Sequence, residues 1–102
     1  MKVTIVPADG AVSIDGVGFG GLDLSTISTA IHAVQWYDTY GEVEFKDFFV
    51  GGAIVKPENQ LITSFSEYEP VIALWQTAKD TEEDASVAAA NNQPVGTGVQ
   101  EL

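Results

Sequence analysis

Cysteine is absent from this 102-residue chain, and its absence excludes several kinds of chemistry at once. The protein has no disulfide bond, no zinc–thiolate site and no thiol nucleophile. Long apolar runs are also missing, since none approaches the ~20 residues of a membrane-spanning helix. Met1 and Lys2 lead into a short alternating segment and not into a signal peptide, so we expect synthesis in the cytoplasm.

Positive charge is scarce in the chain. Four lysines face fifteen acidic residues, arginine is absent, and the formal net charge is −11. Nucleic-acid binding relies on clustered Lys and Arg side chains that neutralise phosphates, so the composition disfavours DNA and RNA as partners. An anionic membrane surface is disfavoured for the same reason. The charge either favours a basic protein partner or serves solubility alone.

The apolar content of 45% predicts one folded domain with a single core. Alternating residues predict a first hairpin over 2–15, followed by a loose glycine-rich loop at 16–21 and an ambiguous segment at 22–30. Residues 46–55 predict a bent continuation or a tight hairpin around a glycine pair. A short edge strand is predicted at 60–63.

A central β-hairpin is predicted over residues 31–45, where a short loop ending in Gly41 separates two runs rich in β-branched and aromatic residues. Two loop lengths compete. A three-residue loop sets Trp36 opposite Glu44, whereas a four-residue loop sets Trp36 opposite Val43. The second gathers the apolar side chains on one face, which favours it.

The four-residue loop, 38–41, also sets Val34 opposite Phe45. Gly41 is expected to supply the positive φ angle that this loop requires. The opposite face of the hairpin then carries the residues expected to meet water or a partner, which are Ala33, Gln35, Tyr37, Glu42 and Glu44.

One strongly periodic helix is predicted from Ser66 to Asp80. Ser66 and Glu69 have the spacing of a capping box, and the apolar residues that follow recur at helical intervals. We expect Trp75 of this helix and Trp36 of the central hairpin to anchor the core. Residues 81–102 predict a flexible, acidic and alanine-rich tail outside a domain of residues 1–80.

The predicted fold class is therefore α+β. A small antiparallel sheet of two hairpins plus edge strands carries one C-terminal helix packed across it, and the flexible acidic tail follows.

Two features of the sequence could indicate a chemical function, but each lacks the surrounding residues that such a function requires. Gly16–Gly21 matches the G-x-G-x-x-G spacing of dinucleotide sites, but those sites also need a following helix and a βαβ unit. His32 is the only histidine, and it lacks the spacing of a catalytic or metal-binding motif. We expect no enzymatic activity, no cofactor and no metal site.

The aromatic residues are more informative, because they are too many for so small a core. Tyr37 lies on the outer face of the predicted hairpin and Tyr40 lies in its loop, so both are expected to stay exposed. Glu42 and Glu44 share that face. Exposed tyrosines are common at interface hot spots. These four residues form the predicted partner-binding patch, although an ordinary solvent-exposed turn explains them about equally well.

Three segments carry a resemblance to a known family. They are VTIVPADG with VSIDG, IHAVQWYDTYGEVEF, and ITSFSEYEPVIALWQTAK. Together they resemble small proteins of tailed bacteriophages and prophages that are encoded beside tail-fibre genes and described as tail-fibre assembly proteins or chaperones. The resemblance spans residues 1–79, and the stretch from Lys46 to Lys56 is longer than expected in that family.

The resemblance implies a protein that binds a tail-fibre or baseplate polypeptide, as an assembly chaperone or as a component of the virion. It implies a location in the host cytoplasm during assembly or in the virion tail, and it leaves a homo-oligomer open. Two alternatives remain: an acidic decoy that inhibits a host nucleic-acid-binding protein, and a small nucleotide-binding or hydrolytic domain.

Overall fold

The computed structural model describes residues 1–91, with side chains described through residue 85. Eight strands and one helix form in this part of the chain. Their bounds are β1 Lys2–Val6, β2 Ala11–Ile14, β3 Val17–Phe19, β4 Ile31–Tyr37, β5 Gly41–Phe45, β6 Phe48–Val50, β7 Ala53–Val55, β8 Gln60–Ile62 and α1 Glu69–Asn91.

Six of the strands form one antiparallel sheet, in the order β3-β2-β1-β4-β5-β8. The helix α1 packs against one face of it, so the predicted α+β class is confirmed. Strands β6 and β7 form a separate two-stranded sheet and pair with no other strand of residues 1–91. The tight hairpin around Gly51 and Gly52 is also confirmed, and both glycines have positive φ angles, as a two-residue hairpin turn of this kind requires.

The glycine-rich loop predicted at 16–21 is partly wrong, because β3 forms within it. Asp15 and Gly16 take φ angles of 48° and 88° and turn the chain directly back from β2 into β3. An Asp-Gly pair is a strong signal for such a turn. Phe19 packs edge-on against Trp75, with ring centroids 5.9 Å apart, and this contact holds the short edge strand to the helix.

The predicted register of the central hairpin is wrong by two residues. Trp36 lies opposite Gly41, and Val34 lies opposite Val43. The loop has two residues, closed by the Tyr37 N–H donating to the Tyr40 carbonyl at 2.7 Å. A shift of two residues returns each side chain to the same face of the sheet, so the apolar face was predicted correctly although the pairing was not.

Gly41 does not supply the positive φ angle; Asp38 does, at 83°. Gly41 is required for a different reason. A Cβ atom at this position would lie 2.9 Å from Cε3 of Trp36 and closer still to the Gln35 carbonyl oxygen. In the observed pairing, a side chain at this position has no room beside the Gln35 carbonyl and the indole ring, so glycine is required there.

The core lies between the sheet and the layer formed by α1 and the segments around it. Trp36 and Phe65 stack at 5.4 Å between ring centroids, and Trp75 donates from Nε1 to the Val17 carbonyl at 2.8 Å. Both predicted tryptophan anchors are confirmed as buried. The buried cluster comprises Val3, Ile5, Val12, Ile14, Leu24, Ile27, Ile31, Val34, Trp36, Val43, Phe65, Tyr68, Val71 and Trp75.

The helix differs from its prediction at both ends. It begins with a 3₁₀ turn at Ser66–Tyr68, and the Ser66 hydroxyl bonds to Ser64 at 3.0 Å, so the predicted capping box is absent. It runs to Asn91 instead of ending at Asp80. The apolar periodicity stops near Lys79, but i,i+4 contacts such as Lys79 to Glu83 at 3.2 Å and the high helix propensity of alanine carry the helix further. The rest of the predicted tail, residues 92–102, lies outside the described residues.

Strands β5 and β8 continue into the β6–β7 hairpin without a change of register. Val43 pairs with Gln60 and Phe48 pairs with Val55, so five steps on one strand match five steps on the other. The two ladders are one ribbon, interrupted where Asp47 and Lys56 form an ion pair at 3.0 Å. Its inner half belongs to the sheet and its outer half extends beyond it.

Candidate functional site

The face of the sheet opposite α1 carries all four residues of the predicted partner-binding patch. Tyr37 neighbours the buried Trp36, and Glu42 and Glu44 flank the buried Val43. Because successive side chains of a strand point to opposite sides, all three face away from the helix. We call this surface the outer face; its central residues are Thr4, Gln35, Tyr37, Tyr40, Glu42, Glu44 and Leu61.

Tyr37 and Tyr40 lie side by side where β4 turns into β5. Their ring centroids are 5.2 Å apart, and the rings are tilted by 45°. Tyr37 is half-buried, whereas Tyr40 is 48% exposed. The pairing of the tyrosines restricts both rings, so a partner would meet a largely ordered aromatic surface at a low cost in side-chain entropy.

Polar and charged groups surround the tyrosines on the outer face, where Lys2 of β1 lies opposite Tyr37. Glu42 accepts a hydrogen bond from Nδ2 of Asn59 at 3.1 Å, and the Thr4 hydroxyl donates to Gln35 at 2.8 Å. Leu61 lies opposite Glu42 on β8 and is 66% exposed. The structure thus brings aromatic, carboxylate and apolar groups together on one open surface.

The turn beside the tyrosines carries a further carboxylate. Asp38 accepts a hydrogen bond from the Met1 amino group at 2.8 Å. The hydrogen bond and the charge of Asp38 raise the pKa of this amino group above its ordinary value of 8.0. The contact ties the start of β1 to the turn and neutralises part of the acidic charge there.

The second exposed surface was not assigned a role from the sequence. We call residues Phe48–Val55 the distal hairpin. Phe49 is 73% exposed and Ile54, its cross-strand neighbour, is 50% exposed. Its two strands make their main contacts with each other. The signal that could have found it is a run of eight residues with no charged or hydrogen-bonding side chain in a strongly acidic chain.

The chemical motifs of the sequence do not come together. His32 is exposed on β4 and lines a shallow depression with Phe45, Lys46 and Asp47. Gly16–Gly21 spans a turn and the edge strand β3, and no helix follows it as a dinucleotide site requires. Among residues 1–91, no three His, Cys, Asp or Glu side chains are grouped closely enough to hold a metal ion.

A shallow cleft of about 250 Å³ lies between the segment 26–31 and the start of α1. Ile27, Ile31 and Val71 form its apolar floor, and Glu67 is the only ionisable carboxylate in its lining. The cleft joins two layers of the core and has no convergent set of polar groups of the kind that orients a small ligand.

We compared the chain with known protein families, curated proteins and solved structures. No family model, no curated protein and no solved structure matches the chain. No helix within the part of the chain that the structure describes is long and apolar enough to cross a membrane.

Proposed function

We propose that this protein binds a tail-fibre or baseplate polypeptide of a tailed phage, as an assembly chaperone or as a component of the virion. The resemblance of its three sequence segments to tail-fibre assembly proteins names the class of partner. The observation that supports a binding role most directly is the outer face, where the Tyr37–Tyr40 pair lies beside Glu42 and Glu44 on the side of the sheet opposite α1.

The composition of the outer face indicates the chemistry of the partner. Tyrosines give large contact area with few rotatable bonds, and carboxylates beside them attract Lys or Arg. Glu42 and Glu44 lie on one strand two residues apart. A polypeptide segment that carries basic side chains next to apolar ones matches this arrangement. Steering by the net charge of −11 would raise the association rate with such a partner.

The experiment is co-expression with the fibre and baseplate genes of the same genome. The expected result is a higher yield of soluble fibre polypeptide and co-purification of the pair. Tyr37→Ala combined with Tyr40→Ala should weaken the association by about 2–4 kcal/mol if the tyrosines are hot spots. The melting temperature should change little, because Tyr40 is exposed and Tyr37 only half-buried.

Phe49→Ser combined with Ile54→Ser provides the control, since it removes two exposed apolar side chains at the other end of the β5–β8 ribbon. It should bind the fibre polypeptide as the wild type does. Unchanged binding by the tyrosine variant would move the contact away from the outer face. Failure of the wild-type protein to bind any fibre or baseplate polypeptide would refute the proposed function.

A further inference from the structure

The distal hairpin is apolar on both of its faces. Phe49 and Ile54 point to one side, and Phe48 and Val50 point to the other, because side chains alternate along a strand. Phe48, Phe49, Val50 and Ile54 are each about half-exposed or more. Exposed apolar side chains on both faces mark a surface at which another polypeptide packs. An added strand would bring cross-strand neighbours to the side chains of β6 on both faces.

Among residues 1–91, no further strand pairs with either edge of the hairpin. Val50 and Ala53 flank the two-glycine turn and pair with each other. The alternation of hydrogen bonds in an antiparallel pair then directs the N–H and C=O of Phe49 away from β7. Isolated two-stranded hairpins are marginal in water, and further strands stabilise them. The free edge of β6 is thus able to accept another strand.

The charges near the hairpin favour a second copy of this chain as that strand. No charged residue lies between Phe48 and Val55, whereas the whole chain carries a net charge of −11. Lys46, Asp47 and Lys56 at the base sum to a small positive charge. Within residues 1–91, this hairpin is the longest exposed segment at which two such acidic chains can meet without bringing carboxylates together.

We propose that the distal hairpin is a self-association surface, at which β6 of one protomer pairs antiparallel with β6 of a second copy about a two-fold axis. Such an axis sets each Phe49 opposite the same residue of the other copy. The two residues exchange both of their backbone hydrogen bonds, and a four-stranded sheet forms. The antiparallel arrangement places the glycine turn of each hairpin beside the base of the other, so the like-charged bases stay apart.

The size of the surface determines the strength of the association. Stable interfaces use roughly 20–30 residues on each side, and the distal hairpin offers eight. The dimer is therefore weak and reversible, and it forms as the protein concentration rises. The proposal is independent of fibre binding, because it concerns the protein alone.

Sedimentation velocity of the purified full chain over a wide concentration range tests this proposal. The wild type should shift from monomer to dimer as the concentration rises, and Phe49→Ser combined with Ile54→Ser should stay monomeric over the same range. Leu61→Ser removes an equally exposed apolar residue of the outer face and should dimerise as the wild type does. Circular dichroism checks that all three proteins are folded.

The absence of cysteine allows a sharper test of the geometry. Phe49→Cys should form an intermolecular disulfide under mild oxidation at high concentration, since opposed residues of an antiparallel pair have Cα atoms about 5.5 Å apart. Ile54→Cys should not, because three strand spacings of about 4.8 Å would separate the two thiols.

Three results would overturn the proposal. They are a wild type that stays monomeric at every concentration, a dimer that survives the double serine variant, and cross-linking through Ile54→Cys but not through Phe49→Cys. A monomeric wild type whose hairpin bound phosphatidylcholine vesicles or a fibre polypeptide would also count against it.

Discussion

The β4–β5 hairpin and the distal hairpin are built from similar residues and end in different environments. Both have strands rich in β-branched and aromatic residues, and both turn through two residues. β4 and β5 lie between β1 and β8, and the face that carries Val34 and Trp36 is buried. The distal hairpin pairs with no other strand of the described residues 1–91, and its side chains stay largely exposed. The comparison indicates that the adjacent strands decide how much of the apolar surface of a hairpin is buried.

The largest expected difference concerns the aromatic side chains of the two hairpins. Trp36→Ala should lower the free energy of unfolding by about 3–5 kcal/mol, because it removes a buried ring that contacts Phe65. Phe49→Ala should change it by less than about 0.5 kcal/mol, since Phe49 is exposed. Urea unfolding at low protein concentration measures both. Equal losses in the two variants would show that the distal hairpin belongs to the core.

The short strand β3 extends the comparison to an edge strand. It has three residues, as β6 does, but it packs against α1 through Phe19. Trp75→Ala should cost about 3–5 kcal/mol, since the indole contacts Phe19 and is buried. Trp75→Phe keeps most of the packing and loses the hydrogen bond to the Val17 carbonyl, at a cost of about 1 kcal/mol. An unchanged thermal midpoint for Trp75→Ala would place the helix elsewhere.

Alanine substitutions at a glycine of each hairpin should differ less in their cost to stability than the aromatic substitutions do. The larger cost should again fall on the β4–β5 hairpin. Gly41→Ala places a Cβ against Trp36 and should cost about 1–3 kcal/mol through overpacking. Gly52→Ala is strained at its φ of 83° but meets no neighbouring atom. The distal hairpin can open locally, so the strain should leave global unfolding nearly unchanged. Chemical denaturation compares the two, and a larger loss for Gly52→Ala would contradict the assignment.

The smallest expected effect is a pH dependence at the turn of the β4–β5 hairpin. The amino group of Met1 has a raised pKa in the folded state because of Asp38. Its contribution to stability is therefore complete below the unfolded value of 8.0 and is lost as the pH rises through the folded-state pKa. Asp38→Asn keeps a residue that tolerates positive φ and removes the charge.

Thermal midpoints between pH 7 and about pH 9.5 measure this effect, below the range in which most Lys and Tyr side chains titrate. The wild type should lose slightly more stability over this range than the Asp38→Asn variant. Parallel curves for the two proteins would show that the contact between Met1 and Asp38 has no energetic consequence.

The sequence predicted where the strands and the helix lie better than it predicted how the strands pair. Alternation and turn residues located seven of the eight strands, all except β3, because both signals are local. The predicted register of β4 on β5 was wrong. The close approach of Gly41 to Trp36 depends on the space between the two strands, which the sequence alone does not show. The helix end was wrong because apolar periodicity marks where a helix packs, and α1 continues past Trp75, the last buried side chain among those described, which end at residue 85.

Of the two exposed surfaces, one could be predicted from the sequence and the other could not. The outer face was predictable, because an error of two residues in register preserves the side of each strand on which Tyr37, Glu42 and Glu44 lie. The exposure of the distal hairpin was not, since its sequence is that of a buried strand pair. Within residues 1–91, no strand lies beside β6, and the position of a strand in the sheet order is a property of the whole topology.

The unbroken register of the β5–β8 ribbon has a consequence for how this fold varies over evolutionary time. A matched insertion or deletion of two residues in each arm changes the length of the ribbon and returns every remaining side chain to its original face. An insertion or deletion in one arm alone would break the continuous register between the two arms. The ribbon can therefore lengthen or shorten in paired steps, with the six-stranded sheet left as it is, and related chains can differ in reach while sharing one core.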